Sequence, residues 1–310
     1  MSGFSGTRAA LYGLGMIRRD PATFLSVSVL FGVFFVWMFL SVGGLYVQML
    51  ATMLHDMSNI QAITPLSMEI NARLGLIYLM MIPLYAVTLA AMQRSMVHGR
   101  SDGWVLGLKL SMDEVRILLV TIVCYIIAFI PYFIAAIVGG LAGGVAAGLA
   151  AAAADPAGGR VEEIPWTVLV SVAAPVVLIG LGFSAWIGIR LSAAGAATIG
   201  EQRFVIFESW GITRGRFWSL FRAYLLLFAI IIAIEAVVVL IVIHAAAPRA
   251  AEFAVSGSVG PEAVLEFSFG PRVAAGGVLY ALFVTFFFGA MLGIGAGAYK
   301  DWKQSQAASA

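Results

Sequence analysis

Residues 117–149 read ILLVTIVCYIIAFIPYFIAAIVGGLAGGVAAGL, 33 positions without a charged side chain. A helix needs about 20 residues to cross the hydrocarbon core of a bilayer, so this run is long enough to span one. Comparable apolar runs lie at 23–47, 72–92, 167–189, 223–246 and 273–299, which makes six. With 62% of 310 residues hydrophobic and only 11% charged, the chain has more apolar surface than one water-soluble core can hide. Stretches such as LLLFAIIIAI at 225–234 are apolar on every face, which excludes the alternation of a membrane β-barrel. The expected fold is all-α: a polytopic membrane protein of six transmembrane helices, one integral domain over residues 1–310.

Lysine and arginine are retained on the cytoplasmic side of membrane helices. Threading the six spans puts fourteen of the 18 on one side and only Arg73, Arg160, Arg249 and Arg272 on the other. Both termini are therefore expected in the cytoplasm, and the polar lead-in through Pro21 is too long for a cleaved signal peptide. The same face carries seven acidic residues, a balance that favours anionic headgroups. Cys124 is the single cysteine and lies inside a span, so no internal disulfide is possible.

Three segments entering outward-running spans align without gaps: GLGMIRRDPATFL (13–25), GLKLSMDEVRILL (107–119) and SWGITRGRFWSLF (209–221), at steps of 94 and 102 residues. Each has a small residue, an apolar pair at helical spacing, a polar break and the next span. The spacing predicts three units, 1–94, 95–190 and 191–310, each an interfacial amphipathic helix followed by a transmembrane hairpin. In the third, Phe204, Phe207 and Trp210 recur at near-helical spacing with Glu201 and Glu208 on another face, as in a helix lying in the headgroup plane. Thr213 is placed to cap the following helix. Arg214, Arg216 and Arg222 would hold its start at the phosphates, while Phe217 and Trp218 sit in the interfacial belt. Trp210, Arg214, Arg216 and Trp218 thus form either an anchor fixing depth and tilt, or a docking surface for lipid headgroups or a protein partner.

The order of elements, and above all ESWGITRGRFWSLF (208–221) before a long apolar helix, resembles the membrane domain attached to some bacterial glycerophosphoryl diester phosphodiesterases and found in stand-alone inner-membrane proteins. The match is concentrated in residues 190–235. The resemblance implies a bacterial inner-membrane location. In those enzymes catalysis belongs to an appended soluble barrel, for which this chain of 310 residues has no room, so no enzymatic activity is expected from it.

Glu235 is the one carboxylate inside a span, about 20 Å from Arg222 at the helical rise. An acid at that depth is expensive and points to function by default. The alternative is a protonated Glu bonded to a hydroxyl at similar depth, for which Thr285, Tyr78 and Tyr132 qualify. Pro83, Pro131 and Pro175 lie inside spans and each frees a carbonyl, as in the broken helices of carriers. Overlapping small-residue ridges run along Gly139, Gly143 and Gly140, Gly144, Gly148, and along Gly289, Gly293, Gly297; they serve packing within the bundle or a homo-oligomer seam. GFSA (182–185) resembles the serine motif of rhomboid proteases, but Ser184 and the nearest candidate base on a span, His244, lie at opposite depths. Met49, Met53, His55, Met57 and Met68 carry soft ligand atoms, yet their spacing fits an apolar face better than a metal site. No HExxH, CxxC or phosphate-cradling loop is present, and the basic residues are not gathered into a nucleic-acid footprint. The expectation is a non-catalytic membrane protein with no cofactor and no metal, structural, lipid-interacting or membrane-organising, with membrane lipids and a second copy or protein as partners. The alternative is a small-molecule or proton-coupled carrier using Glu235, and an enzyme acting on lipid headgroups comes third.

Overall fold

The computed structural model describes residues 5, 11–55, 60–100, 108, 111–154, 166–256 and 271–309. The described residues form α1 (Met16–Arg19), α2 (Pro21–His55), α3 (Ile60–His98), α4 (Met112–Ala154), α5 (Trp166–Leu191), α6 (Ala194–Glu201), α7 (Glu208–Ile212), α8 (Phe217–Ser256) and α9 (Pro271–Ala307). Six helical stretches are long and apolar enough to cross a membrane, and each overlaps one of the expected runs. The protein is an all-α, multi-pass membrane protein. The helices overrun the apolar runs: α4 has 43 residues, about 65 Å at the helical rise, roughly twice the hydrocarbon core.

Helix starts follow from local chemistry. At α2, Asp20 accepts hydrogen bonds from the Thr23 amide at 3.2 Å and the Thr23 hydroxyl at 2.7 Å, and Pro21 occupies the first helical position, where no amide is needed. At α4, Ser111 and Glu114 form a capping box: Glu114 Oε2 accepts from the Ser111 amide at 2.6 Å and its hydroxyl at 2.7 Å. Gln202, at φ 54°, ends α6 in the left-handed region, and Gly215, at φ 77°, turns the chain between α7 and α8.

The starts of α2, α4 and α8 meet the ends of α3, α5 and α9. The Tyr12 hydroxyl donates to the Met96 carbonyl, Arg94 pairs with Glu114, Arg216 with Asp301, and Lys303 with Glu201. One end of the molecule, here the basic end, therefore gathers the arginines that the charge count placed together. Of the positions in that count, Arg8, Asp102, Lys109 and Arg160 lie outside the described residues, as does most of 101–110 in the second repeat segment.

Two bodies rise from this end. In one, α2, α3 and α9 pack through Phe31, Tyr85 and Phe288, with Phe31 and Phe288 stacked at 5.8 Å and Tyr85 edge-on to Phe288 at 5.4 Å. The other is the α4–α5 hairpin, where small residues allow close approach. A Cβ on Gly180 would lie 2.2 Å from that of Ala135, and one on Gly143 would lie 2.7 Å from the Leu169 carbonyl oxygen. Gly139 and Gly143 thus face α5, whereas Gly140, Gly144 and Gly148 meet nothing within 4 Å. On α9, Gly289 and Gly293 receive Gly13, so this ridge packs the segment before α1.

Candidate functional site

The 201–210 stretch is not the interfacial helix that its periodicity predicts. Gln202 breaks the chain after α6, so Phe204 and Phe207 stand on an irregular segment, both exposed, and only Glu208–Ile212 is helical. Glu208 pairs with Arg203 at 2.8 Å, and that guanidinium holds the Glu208 carboxyl below the usual carboxylate range. Thr213 does not cap α8. Its hydroxyl turns back to the Ser209 carbonyl at 3.0 Å and the Arg190 carbonyl at 3.3 Å, because the turn at Gly215 separates it from Phe217.

The same stretch is latched to the end of α5. Ser209 donates to the Arg190 carbonyl at 2.8 Å, and the Arg190 guanidinium donates to the Thr213 carbonyl at 3.2 Å. Arg190 also lies over the rings of Trp186 and Phe217, at 5.9 and 5.5 Å. Trp210 meets Trp186 edge-on at 5.3 Å, so it packs within the protein. Trp218, by contrast, is 66% exposed on α8, and Arg214, three residues before that helix, is exposed as well. Arg216 departs from the expected phosphate contact: it binds Asp301 at 2.6 Å and the Ile212 carbonyl at 2.9 Å. The four residues therefore divide, with Trp210 and Arg216 facing inward and Arg214 and Trp218 outward.

Glu235 is half-buried on α8, and its partner is the Tyr280 hydroxyl of α9 at 3.4 Å. None of the three expected hydroxyls serves. Thr285 donates to its own helix at Ala281, Tyr78 is exposed, and Tyr132 offers its backbone amide to Ser184 Oγ at 3.1 Å. That last contact sits beside Pro131 and ties α4 to α5, so the GFSA serine has a packing role. Met57 and the side chains of His55 and His244 lie outside the described set.

Two features escaped the sequence reading. The first is a buried ionic cluster joining α3 to α4. Arg94 lies 2.7 Å from Glu114 and 3.6 Å from Asp113, with side-chain exposures of 5, 4 and 11%; Arg116 reaches both Asp113 at 3.3 Å and the Gln202 side chain at 3.2 Å. Its signal was present in Ser111-x-x-Glu114, a helix-start signature.

The second is a cavity of about 530 Å³ between the two bodies, walled by α3, α4, α5, α6, α8 and α9. Its inner end is closed by Val120, Leu191 and Ala194, all buried, and by Gln93, which is 3% exposed. Its mouth is rimmed by Tyr125, Leu225 and Phe228, exposed on the faces of α4 and α8. Counted along the helices at 1.5 Å per residue, Gln93 lies about 8 Å inside the end of α3, while Tyr125 and Phe228 lie about 20 and 17 Å inside the starts of α4 and α8. The lining contains no Asp, Glu, Lys, Arg or His. The Tyr224 hydroxyl donates to the Met291 carbonyl at 3.4 Å and Ser192 donates to Ile189 at 2.8 Å. Gln93 Oε1, however, is buried without a hydrogen-bond partner among the described residues. Among the described residues no group of three His, Cys, Asp or Glu side chains could hold a metal ion.

Comparison with protein-family models, with curated proteins and with solved structures returns no match to this chain.

Proposed function

We propose that this chain is a non-catalytic, lipid-interacting protein of a bacterial inner membrane, with both termini cytoplasmic and the basic end in the inner leaflet. The observation that carries the reading is the cavity between the α2–α3–α9 body and the α4–α5 hairpin. It is apolar and uncharged, lies at acyl-chain depth, and opens through exposed apolar side chains toward the bilayer. A volume of about 530 Å³ falls in the range of small-molecule sites. Near the start of α8, exposed Arg214 and Trp218 present a cation and an indole where the helix meets the headgroups, an arrangement that fixes depth and favours anionic lipid there.

The carrier alternative runs through Glu235. Half-burial and a single long hydrogen bond to Tyr280 fit an acid that serves packing between α8 and α9 better than one poised in a relay. The test is lipid analysis of the full-length protein extracted in mild detergent and examined by native mass spectrometry. The expected result is retained lipid at a defined stoichiometry, enriched over the bulk membrane composition. Retained lipid matching bulk composition, together with a proton-coupled flux in proteoliposomes abolished by Glu235→Gln, would replace this reading with the carrier.

A further inference from the structure

We infer that the cavity takes an uncharged, hydroxyl-bearing lipid of the inner leaflet, of the mono- or diacylglycerol type, with its head hydrogen-bonded to the Gln93 amide and a chain lying between α4 and α8. The inference rests on the lipid-interacting reading and specifies its ligand.

Three observations lead there. First, the lining has no charged side chain, so a phosphate drawn into it would lose its water without gaining a counter-charge. None of the cations at the basic end lines the cavity, and Arg94 is paired with Glu114 and Asp113, and Arg216 with Asp301. A neutral head enters without that loss.

Second, Gln93 is a polar side chain buried to 3% exposure at the closed end of an otherwise apolar cavity, with Oε1 unpartnered among the described residues. A buried amide oxygen left unmatched is costly. A ligand hydroxyl donates to it, and the amide nitrogen of the same side chain can donate to an ester carbonyl carried on the neighbouring glycerol carbon. That pairing suits a glycerol ester with a free hydroxyl better than a pure hydrocarbon.

Third, the geometry has the polarity of a lipid leaflet. The amide lies about 8 Å inside the end of α3, and Tyr125 and Phe228 at the apolar mouth lie about 20 and 17 Å inside the starts of α4 and α8, nearer the membrane centre. A lipid with its head at Gln93 and its chain toward the mouth keeps its normal direction in the bilayer, and the exposed rim gives sideways access without crossing the headgroup layer.

The experiment uses the full-length protein in liposomes of phosphatidylethanolamine and phosphatidylglycerol, with a monoacylglycerol probe carrying a diazirine in its chain. After illumination, cross-linked peptides are mapped by mass spectrometry. The expected result is labelling at Tyr125, Leu225 and Phe228, displaced by dioleoylglycerol and not by dioleoyl phosphatidic acid at the same mole fraction. Gln93→Met, which keeps size and removes the amide, should weaken probe binding about three- to tenfold, the equivalent of one neutral hydrogen bond. Gly188 lines the cavity and a Cβ there meets nothing within 4 Å. Gly188→Phe should therefore fill the space without disturbing the fold and lower labelling by at least about tenfold; this variant decides the matter if Gln93→Met fails to fold. Equal displacement by phosphatidic acid, or labelling indifferent to Gly188→Phe, overturns the inference. Labelling of the cavity by an anionic photolipid alone would sink the neutral ligand while leaving the lipid-interacting reading intact, whereas no lipid labelling in the cavity at all would remove both.

Discussion

Replacing Arg94 with methionine tests what holds the α4–α5 hairpin to the rest of the molecule. Arg94, Glu114 and Asp113 have side-chain exposures of 5, 4 and 11%, and the closest contact is 2.7 Å. Such a cluster is weak evidence of net stability, because desolvating the ions offsets their attraction. Removing one partner is different, since it leaves carboxylate charge buried and uncompensated. Breaking a buried pair costs about 3–5 kcal/mol, and at roughly 2–4 °C per kcal/mol for a chain of this size class the melting midpoint should fall by about 10 °C. Glu114 retains the two bonds from Ser111, and Asp113 retains Arg116, which places the expected loss at the lower end of the range. The assay is thermal challenge of detergent-purified protein followed by size-exclusion chromatography. The double variant Arg94→Met, Glu114→Met removes both opposite charges together with the α4 cap, so its loss should be clearly smaller than the sum of the two single losses, giving a coupling energy well above the 0.5 kcal/mol seen for independent sites. A single Arg94→Met variant that melts within 2 °C of the parent, or a double variant whose losses simply add, would refute the reasoning.

Three further outcomes are expected. Gly180→Ala puts a Cβ 2.2 Å from that of Ala135 and 2.9 Å from the Pro131 carbonyl oxygen, so it should destabilise by about 1–3 kcal/mol, whereas Gly144→Ala, with nothing within 4 Å, should be neutral or stabilising by up to about 1 kcal/mol; the two melting shifts should have opposite signs or differ plainly in size. Glu235→Gln should leave folding and any deletion phenotype near wild type, and Glu235→Leu should cost only about 0.6 kcal/mol, the average for a membrane hydrogen bond; complementation across external pH at matched expression checks this, and failure of the glutamine variant while it still folds would contradict it. Brominated lipid should quench Trp218 strongly and Trp210 weakly, because the first is 66% exposed and the second packs on Trp186 at 5.3 Å; comparison of the two Trp→Phe variants reads each contribution.

The spans were legible because a charge-free run of twenty or more residues has one solution in lipid. The gathering of arginines at one end was legible for the same reason, since threading an even number of spans fixes which ends meet. Periodicity could not show that the 201–210 stretch breaks, because one left-handed residue, Gln202, interrupts a pattern whose apolar spacing otherwise continues. Depth counting put Thr285, Tyr78 and Tyr132 level with Glu235, but it carries no information about direction around the helix axis, and Tyr280 faces the acid instead. The same blindness to direction made Gly139 and Gly140 equivalent in the sequence, although the first meets Ala173 and the second meets nothing. The cavity was beyond reach of any local pattern: six helices contribute to it, and each contributes ordinary residues.

Burial is uneven along the molecule, and that unevenness bears on the cavity. The most apolar windows of α3 and α9 bury 33% of their residues, those of the α5 and α8 spans only 6%. Between helices in lipid there is no hydrophobic driving force of the kind that acts in water, so association depends on packing and polar contacts. Here the polar contacts between the α4–α5 hairpin and the rest lie at the basic end, where Arg94 meets Glu114, Arg116 meets Gln202 and Arg190 meets the α7 turn. These ties set the separation of the two bodies at one end only, and the cavity begins beside them. Gln93 and Arg94 are neighbours on α3, so the residue that ties the hairpin and the amide at the closed end of the cavity share one turn of helix. Loss of the Arg94 cluster would therefore move the wall that carries Gln93 as well as weaken the fold, and a ligand bound at Gln93 would bridge the bodies just inside that cluster.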